Sequence, residues 1–226
     1  MTDKPKKESF VHKYLDPASR LGEILFGLIM VLTATLTAGL TVADGEAGVR
    51  QLLFSALGCN IAWGIIDAIM YIMNCITERG GRARLLREVR SAPDSQSALD
   101  LIRDEIEPGF QSLGTPEGRK AFYHSILKRA NQAESAPTRL LTKEDLYGAL
   151  ACFWLVFISC LPAALPFLIL SKPHVALRVS NFLLIVMLFL VGQKWAQFAH
   201  TNRLLAGMAM VTIGLVLVGV AILLGG

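Results

Sequence analysis

The chain has 226 residues, 53% of them hydrophobic, and its mean hydropathy is +0.49. This composition excludes an ordinary soluble domain, because continuous apolar runs of about 20 residues are typical of helices that cross a bilayer. The formal net charge of +4 indicates little by itself, since the charges are unevenly placed. We therefore expect an all-α, polytopic membrane protein.

The chain begins with a polar, basic leader, in which Asp16 and Pro17 predict the start of a helix. No small-residue cleavage site follows the first apolar run, so we expect no cleavable signal peptide. Two apolar segments, Leu21–Leu40 and Leu52–Met73, predict the first two membrane spans. A tight polar turn is predicted between them at 43–48.

The next part of the chain is rich in charge and contains no apolar run long enough to cross a membrane. It predicts a small helical insert. A basic helix over Arg79–Val89 continues from the second span and is broken by Pro93. Asp94 or Ser95 caps a second helix that ends at Pro108-Gly109, and a third helix opens at 115–117.

A capping-box pattern at 142–145 predicts the start of the third span, which contains Pro162 and Pro166. Proline inside a span frees backbone carbonyls and bends the helix, so both positions are predicted to bend it. Two further apolar segments predict spans four and five. The predicted organisation is a basic cytoplasmic leader (1–20), transmembrane helices 1 and 2 (21–75), a cytoplasmic helical insert (76–145) and transmembrane helices 3 to 5 (146–226).

The distribution of lysine and arginine predicts the orientation of the chain. With five spans, 19 of the 22 basic residues lie on the side of the leader and the insert, and only Arg50, Lys172 and Arg178 lie on the other side. The positive-inside rule therefore places the amino terminus and the insert in the cytoplasm and the carboxyl terminus outside. A bacterial inner membrane is the simplest location.

The chain carries no pattern of a catalytic site. The four histidines are scattered, and no H-E-x-x-H motif or nucleophile–base arrangement is present, so we expect a protein that is not an enzyme. The four cysteines have no C-x-x-C spacing, and we interpret them as packing residues of the spans. We expect no resident cofactor and no nucleic-acid partner.

Two acids stand inside apolar segments, Glu23 in the first span and Asp67 in the second. An ionisable group at membrane depth costs about 2.5–3.5 kcal/mol on insertion scales, so such groups usually face a partner or a water-filled path. We interpret both carboxylates as functional, because an amide would hold two helices together with less penalty.

Further polar and sulfur-containing residues recur at helical spacing around these acids. Oxygen ligands suit hard or borderline divalent cations, while a thioether favours softer ones such as Fe(II). The alternative is that these residues only hold helices together, as polar side chains and glycines often do in membranes. The candidates for the transport path are Glu23, Met30, Asn60, Asp67, Met70, Tyr71 and Asn74, and Thr37 shares the stripe of the first span.

The insert contains a second group of possible metal ligands. Asp100, Asp104 and Glu107 follow at spacings of four and three and so share one face of a helix, and His124 is a further candidate. These residues could bind a divalent ion in the cytoplasm. A run of charge on a helix is also what a solvated face looks like, and both interpretations stay open.

Together, the five spans, the early acid and the cytoplasmic insert resemble the vacuolar iron transporter family. The stretch Leu161–Phe167 is similar to the L-P-x-x-P-F signature of that family, with one more residue between its two prolines, and 192–194 is similar to its F-G-x-x-K ending. Glu23-Ile24 stands where the family has Asp-Gly, and the insert lacks the family's repeated Glu-x-x-Glu spacing. The resemblance therefore indicates a divergent, bacterial-type member.

The resemblance implies a homodimer whose first spans line a central path. It also implies export of Fe(II) or Mn(II) from the cytoplasm, in exchange for protons. Glu23 would stand at the family's first-span aspartate, and Met70 or Asp67 near its second-span methionine and acid.

Our first hypothesis is thus a proton-coupled transporter of divalent metal, in contact with membrane lipid, in which Glu23 and Asp67 bind metal and take up protons. The alternative is a non-transporting membrane scaffold or sensor whose cytoplasmic insert binds a partner. In that case the acids would pair with Lys194 or Arg178 across helices and serve assembly.

Overall fold

The structure, a computed structural model, describes residues 10–41, 45–110, 115–132 and 140–224. These residues form eight α-helices and no strand, which confirms the all-α prediction. The helices are α1 (Phe10–Tyr14), α2 (Pro17–Thr41), α3 (Gly45–Ser91), α4 (Ser95–Phe110), α5 (Pro116–Gln132), α6 (Lys143–Ile169), α7 (Pro173–Phe198) and α8 (Arg203–Leu223).

Five of these helices are long and apolar enough to cross a membrane, which confirms the predicted number of spans for the described part of the chain. These helices are more apolar than the packing inside the protein accounts for, since only 17–33% of each apolar window is buried. The five stretches are Pro17–Leu36, Phe54–Ser91, Lys143–Ile169, His174–Phe198 and Arg203–Val220.

The longest helix, α3, runs without interruption from the second span into the charged insert. Its 47 residues begin at Gly45, so the turn predicted at 43–48 is wrong for residues 45–48, and residues 42–44 lie outside the described part.

The helix starts are set by local capping residues, as predicted. The Asp16 carboxylate accepts hydrogen bonds from the backbone N–H groups of Ala18 and Ser19, with nitrogen-to-oxygen distances of 2.9 and 3.1 Å. These N–H groups lie in the first turn of α2, where no helical carbonyl is available to them. The side-chain and backbone hydrogen bonds from Ser19 hold the pKa of Asp16 below its ordinary value. Asp94 and Thr115 cap α4 and α5 in the same way, with N–H to oxygen distances of 2.8 and 3.2 Å. Helix α4 ends at Phe110, just past the predicted Pro108-Gly109 end.

The chain divides into two compact units. The membrane unit comprises Met1–Tyr71 with Lys143–Gly226, and the insert unit comprises Ile72–Thr142. In the membrane unit, α2 packs against α6, α7 and α8. Because lipid is as apolar as leucine, this packing is stabilised by close van der Waals contact rather than by removal from water. Its centre contains four fully buried leucines: Leu28, Leu32, Leu184 and Leu188.

Helices α7 and α8 form a close antiparallel hairpin. Thr201 donates its N–H to the Ala196 carbonyl at 3.1 Å, and His200 takes a left-handed backbone conformation with φ of 50°. This hydrogen bond and the left-handed residue terminate α7 and let the chain reverse direction. A Cβ added at Gly192 would lie 2.6 Å from the Ala206 carbonyl oxygen, so glycine permits the close approach of the two helices.

Helix α6 continues through both of its prolines. Since proline has no N–H, Pro162 and Pro166 each leave a carbonyl one turn earlier without its helical donor. The hydroxyl of Ser180, on α7, donates to the neighbouring Ala163 carbonyl at 2.8 Å and ties α7 to this part of α6. The bend predicted at the two prolines stays a prediction.

The insert unit packs α4 and α5 against each other and has its own apolar core. The arginines of α3 also make bonds within this unit: Arg90 donates to the Ala130 carbonyl at 2.9 Å, and Arg79 donates to the Leu140 carbonyl at 2.8 Å. The core residues are Val89, Ala98, Ile102, Tyr123 and Leu127.

Candidate functional site

The two predicted intramembrane acids meet in the membrane unit. The carboxyl groups of Glu23 on α2 and Asp67 on α3 hydrogen-bond to each other. Both side chains are half-buried, and Asp67 Oδ2 is buried without a hydrogen-bond partner among the described residues. A carboxylate only accepts hydrogen bonds, so a bond between two carboxyl groups requires a proton on one of them. In this arrangement the pair holds one proton and has a free acceptor oxygen.

A thiol that sequence reasoning assigned to packing touches the same pair. Cys152 on α6 donates to the Glu23 carboxyl, and its side chain is only 1% exposed. Glu23 thus contacts an acid on α3 and a thiol on α6. The sequence carries no signal for this contact, because the residues lie 129 positions apart and meet only through the packing of α2 on α6.

One face of α3 is directed into the membrane unit. Asn60 and Gly64 are buried on this face, and Asp67 and Tyr71 continue it as half-buried residues. Asn60 lies beside Cys160, and neither of its amide atoms has a partner with full hydrogen-bond geometry among the described residues. A buried amide without partners is unfavourable, and such a group in the membrane is a mark of functional or assembly constraint.

The sulfur-containing candidates are placed differently. Met70, three residues after Asp67, lies beside the buried face of α3 and is 54% exposed, so the structure does not join it to the carboxyl pair. Met30, the other sulfur-containing candidate, is half-buried on α2. Among the polar candidates, Asn74 is exposed. The side chain of Thr37 lies outside the described residues.

The short helix α1 and the residue after it cover part of this site. Leu15 is 5% exposed and forms a small buried cluster with Ala151 and Cys152. The ring of Tyr14 contacts the rings of Phe10 and Tyr147 at centroid distances of 5.1 and 5.5 Å. The Tyr71 hydroxyl, one turn after Asp67, donates to the Tyr14 carbonyl at 3.4 Å. The amino-terminal segment is therefore fixed to both α3 and α6 next to the pair.

Other polar groups in the spans hold helices together. The fully buried Thr35 hydroxyl lies 2.6 Å from Asn181 Oδ1, which joins α2 to α7. Gly27 lies against Ser159 of α6, where an added Cβ would overlap the serine hydroxyl. The contact of Thr35 therefore supports the interpretation that polar side chains in the spans hold helices together.

The cytoplasmic metal candidates lie in the insert unit, where one arginine forms ion pairs with two of them. Arg103 lies 3.5 Å from Asp100 and 3.4 Å from Glu107. These two acids, together with His124 of α5, line a groove of about 460 Å³, whereas Asp104 is exposed and outside it. No group of three or more His, Cys, Asp or Glu side chains in the described ranges is arranged as a complete metal site. Binding of metal in the insert stays a prediction.

The scaffold hypothesis expects the intramembrane acids to form ion pairs with Lys194 or Arg178, and Glu23 forms neither pair in the described structure. Its side-chain contacts are with Asp67 and Cys152. Lys194 and Arg178, the proposed basic partners, are exposed.

Comparison with known proteins identifies a family. A family model described as the VIT family matches residues 77–226. The match includes the insert and spans three to five, and Glu23 and Asp67 precede it. No curated protein matches the chain.

Proposed function

The chain belongs to the vacuolar iron transporter family, and from this premise we propose that it exports divalent metal, Fe²⁺ or Mn²⁺, from the cytoplasm in exchange for protons. The metal is the substrate, and no resident cofactor is invoked. Membership of a family of divalent-metal transporters supports the class of substrate. The choice of ion, the coupling to protons and the homodimeric state are our proposals.

The observation that carries the proposal is the hydrogen bond between Glu23 and Asp67. Two carboxyl groups on neighbouring spans are a donor set suited to a divalent cation, and they stand where charge is expensive. A membrane protein that needed only to join α2 to α3 could do so with amides or hydroxyl groups, as α2 does with α7 through Thr35.

The same pair offers a way to couple two ions. With one shared proton the pair carries one negative charge. A divalent cation that binds both carboxylates displaces that proton, because each ligand must be deprotonated to bind metal. Once the cation has left, a proton from the other side of the membrane restores the bond. Metal and proton therefore compete for one site, which is the requirement for exchange.

Orientation and location follow from the charge distribution. The excess of lysine and arginine in the leader, the insert and the loop between α7 and α8 supports a cytoplasmic amino terminus and an outside carboxyl terminus. An integral protein of a bacterial inner membrane fits this arrangement. The family resemblance supports a homodimer in which the first spans of the two copies line the path.

The proposal is tested by flux into proteoliposomes that contain the purified, full-length protein. We expect Fe²⁺ or Mn²⁺ to enter, and the rate to rise when protons can flow in the opposite direction. Ca²⁺ and Mg²⁺ serve as comparison ions. If folded protein moves none of the metals with or without a pH gradient, the proposal is wrong, and the alternative of a non-transporting scaffold or sensor takes its place.

A further inference from the structure

The junction between α1 and α2 is a break in helical hydrogen bonding. In a continuous helix the Ala18 N–H would bond to the Tyr14 carbonyl, but here the Asp16 carboxylate accepts it at 2.9 Å. Pro17, the first residue of α2, has no N–H to offer to α1. The first turn of α2 therefore does not depend on α1, and α1 can detach about residues 15–17 without loss of these bonds in α2.

The Tyr14 carbonyl, which has lost its helical donor at this break, is bound by α3 instead. The Tyr71 hydroxyl donates to it at 3.4 Å, longer than the roughly 2.7–2.8 Å of a typical O–H···O bond. The ring of Tyr71 lies on Gly148 of α6, where an added Cβ would overlap it. Tyr71 is thus itself held by α6, and its hydroxyl ties α1 to the membrane unit through a weak bond that is easily released.

Helix α1 stands on the cytoplasmic side of the carboxyl pair, in the orientation that the charge distribution supports. It precedes Glu23 on the chain, and Tyr71 follows Asp67 by one turn toward the insert. Leu15, at the end of α1, is 5% exposed and belongs to one buried cluster with Cys152. Solvent does not reach Asp67 Oδ2 in this arrangement. An ion that enters from the cytoplasm therefore passes the position of α1.

We propose that α1 is a movable cover of the cytoplasmic entrance to the Glu23–Asp67 pair, hinged at residues 15–17 and held closed by Tyr71. This inference rests on the proposed function and adds a gate to it. When α1 lifts, cytoplasmic ions reach the pair. When α1 closes, the pair is shielded from the cytoplasm while the ion leaves on the other side. Exchange of two ions requires that the site not be open to both sides of the membrane at once.

The test locks α1 to α6 reversibly in the full-length protein. The ring centroids of Tyr14 and Tyr147 are 5.5 Å apart, so cysteines at these two positions are within reach of a short bifunctional methanethiosulfonate. The double variant Tyr14→Cys with Tyr147→Cys also carries Cys59→Ser and Cys75→Ser, because these two native thiols are not buried. A reductant breaks the disulfides that the reagent forms. The matched control is the same variant treated with a monofunctional methanethiosulfonate.

We expect Mn²⁺ flux into proteoliposomes to fall in proportion to the fraction of protein that is cross-linked, and a reductant to restore it. The monofunctional reagent modifies the same thiols without joining them and should leave the flux unchanged. Cross-linked protein that transports as fast as this control would overturn the inference, because α1 would then be a fixed anchor rather than a cover.

A second measurement does not depend on transport. Tyr71→Phe keeps the ring on Gly148 and removes the bond to Tyr14, so α1 should lift more often. In protein whose other cysteines are serine, we expect maleimide to label Cys152 several times faster in Tyr71→Phe than in Tyr147→Phe, which also removes one hydroxyl but from an exposed side chain. Equal labelling rates would overturn the inference. If untreated protein transports no ion, the proposed function fails, and the labelling rates alone decide on the cover.

Discussion

Glu23 and Asp67 form a carboxyl–carboxyl hydrogen bond between α2 and α3, inside the part of the protein that crosses the membrane. Each acid alone would cost about 2.5–3.5 kcal/mol at membrane depth on insertion scales. A shared proton removes one of the two charges and gives the other a hydrogen-bond donor. The bond therefore explains how two acids are accommodated together, and it also makes the pair dependent on protons.

The contact of α2 with α6 depends on the absence of a side chain at Gly27. In Gly27→Ala the new Cβ would overlap the Ser159 hydroxyl and lie 3.0 Å from the Val156 carbonyl oxygen. We expect a loss of about 1–3 kcal/mol of stability, the usual cost of overpacking. Gly22→Ala is the control, because no atom lies within 4 Å of the Cβ it would add. Thermal unfolding in detergent should show a lower midpoint for Gly27→Ala alone; equal midpoints would contradict the packing described.

The hydrogen bond between Thr35 and Asn181 joins α2 to α7 at a fully buried position. Thr35→Val keeps the shape of the side chain and leaves Asn181 without this partner, so we expect a loss of about 1 kcal/mol, as for other interhelical bonds in membranes. Thr35→Ser keeps the hydroxyl and serves as the comparison. If unfolding midpoints of the valine and serine variants coincide, the bond contributes nothing to stability.

The amino-terminal segment shields Cys152. Leu15 belongs to the same small buried cluster as this cysteine, so Leu15→Ala should let a thiol reagent reach it. The measurement is the rate of maleimide labelling in a variant that retains only Cys152. We expect labelling several times faster in Leu15→Ala than in Lys13→Ala, because Lys13 is exposed. Unchanged labelling in Leu15→Ala would show that the cysteine is shielded by other residues.

The acids of α4 are expected to contribute little to transport. Arg103 already pairs with Asp100 and Glu107, and exposed ion pairs of this kind are worth about 0–1 kcal/mol. The double variant Asp100→Asn with Glu107→Gln should therefore transport metal within roughly twofold of the unmodified protein, an effect within that energy range. A much larger loss of flux would assign the groove of the insert a part in the metal path.

Local signals in the sequence predicted the local features of the fold. Asp16, Asp94 and Thr115 cap helices where they were expected to, because a cap needs only the residues of the first turn. The turn at 43–48 was wrong in part because polar residues near a glycine can equally form the first turn of a helix, as they do from Gly45 onward.

The site could be predicted only as a set of residues. The cost of an acid in an apolar span singled out Glu23 and Asp67, but their bond depends on how α2 and α3 meet. Met70 follows Asp67 by three residues and lies beside the buried stripe, yet it is exposed, since helical spacing alone does not say where the buried face ends. Cys152 was missed because a cysteine in a span looks the same in sequence whether it fills space or contacts an acid.

The most direct test of the central claim is metal flux into proteoliposomes under a pH gradient, compared between Asp67→Asn and Glu117→Gln. The amide introduced by Asp67→Asn could neither bind a cation with a charged oxygen nor release a proton, whereas Glu117 is an exposed acid of α5. We expect Asp67→Asn to abolish both the flux and its response to the gradient, and Glu117→Gln to retain both. Transport by folded Asp67→Asn protein with an unchanged pH dependence would contradict exchange at the Glu23–Asp67 pair.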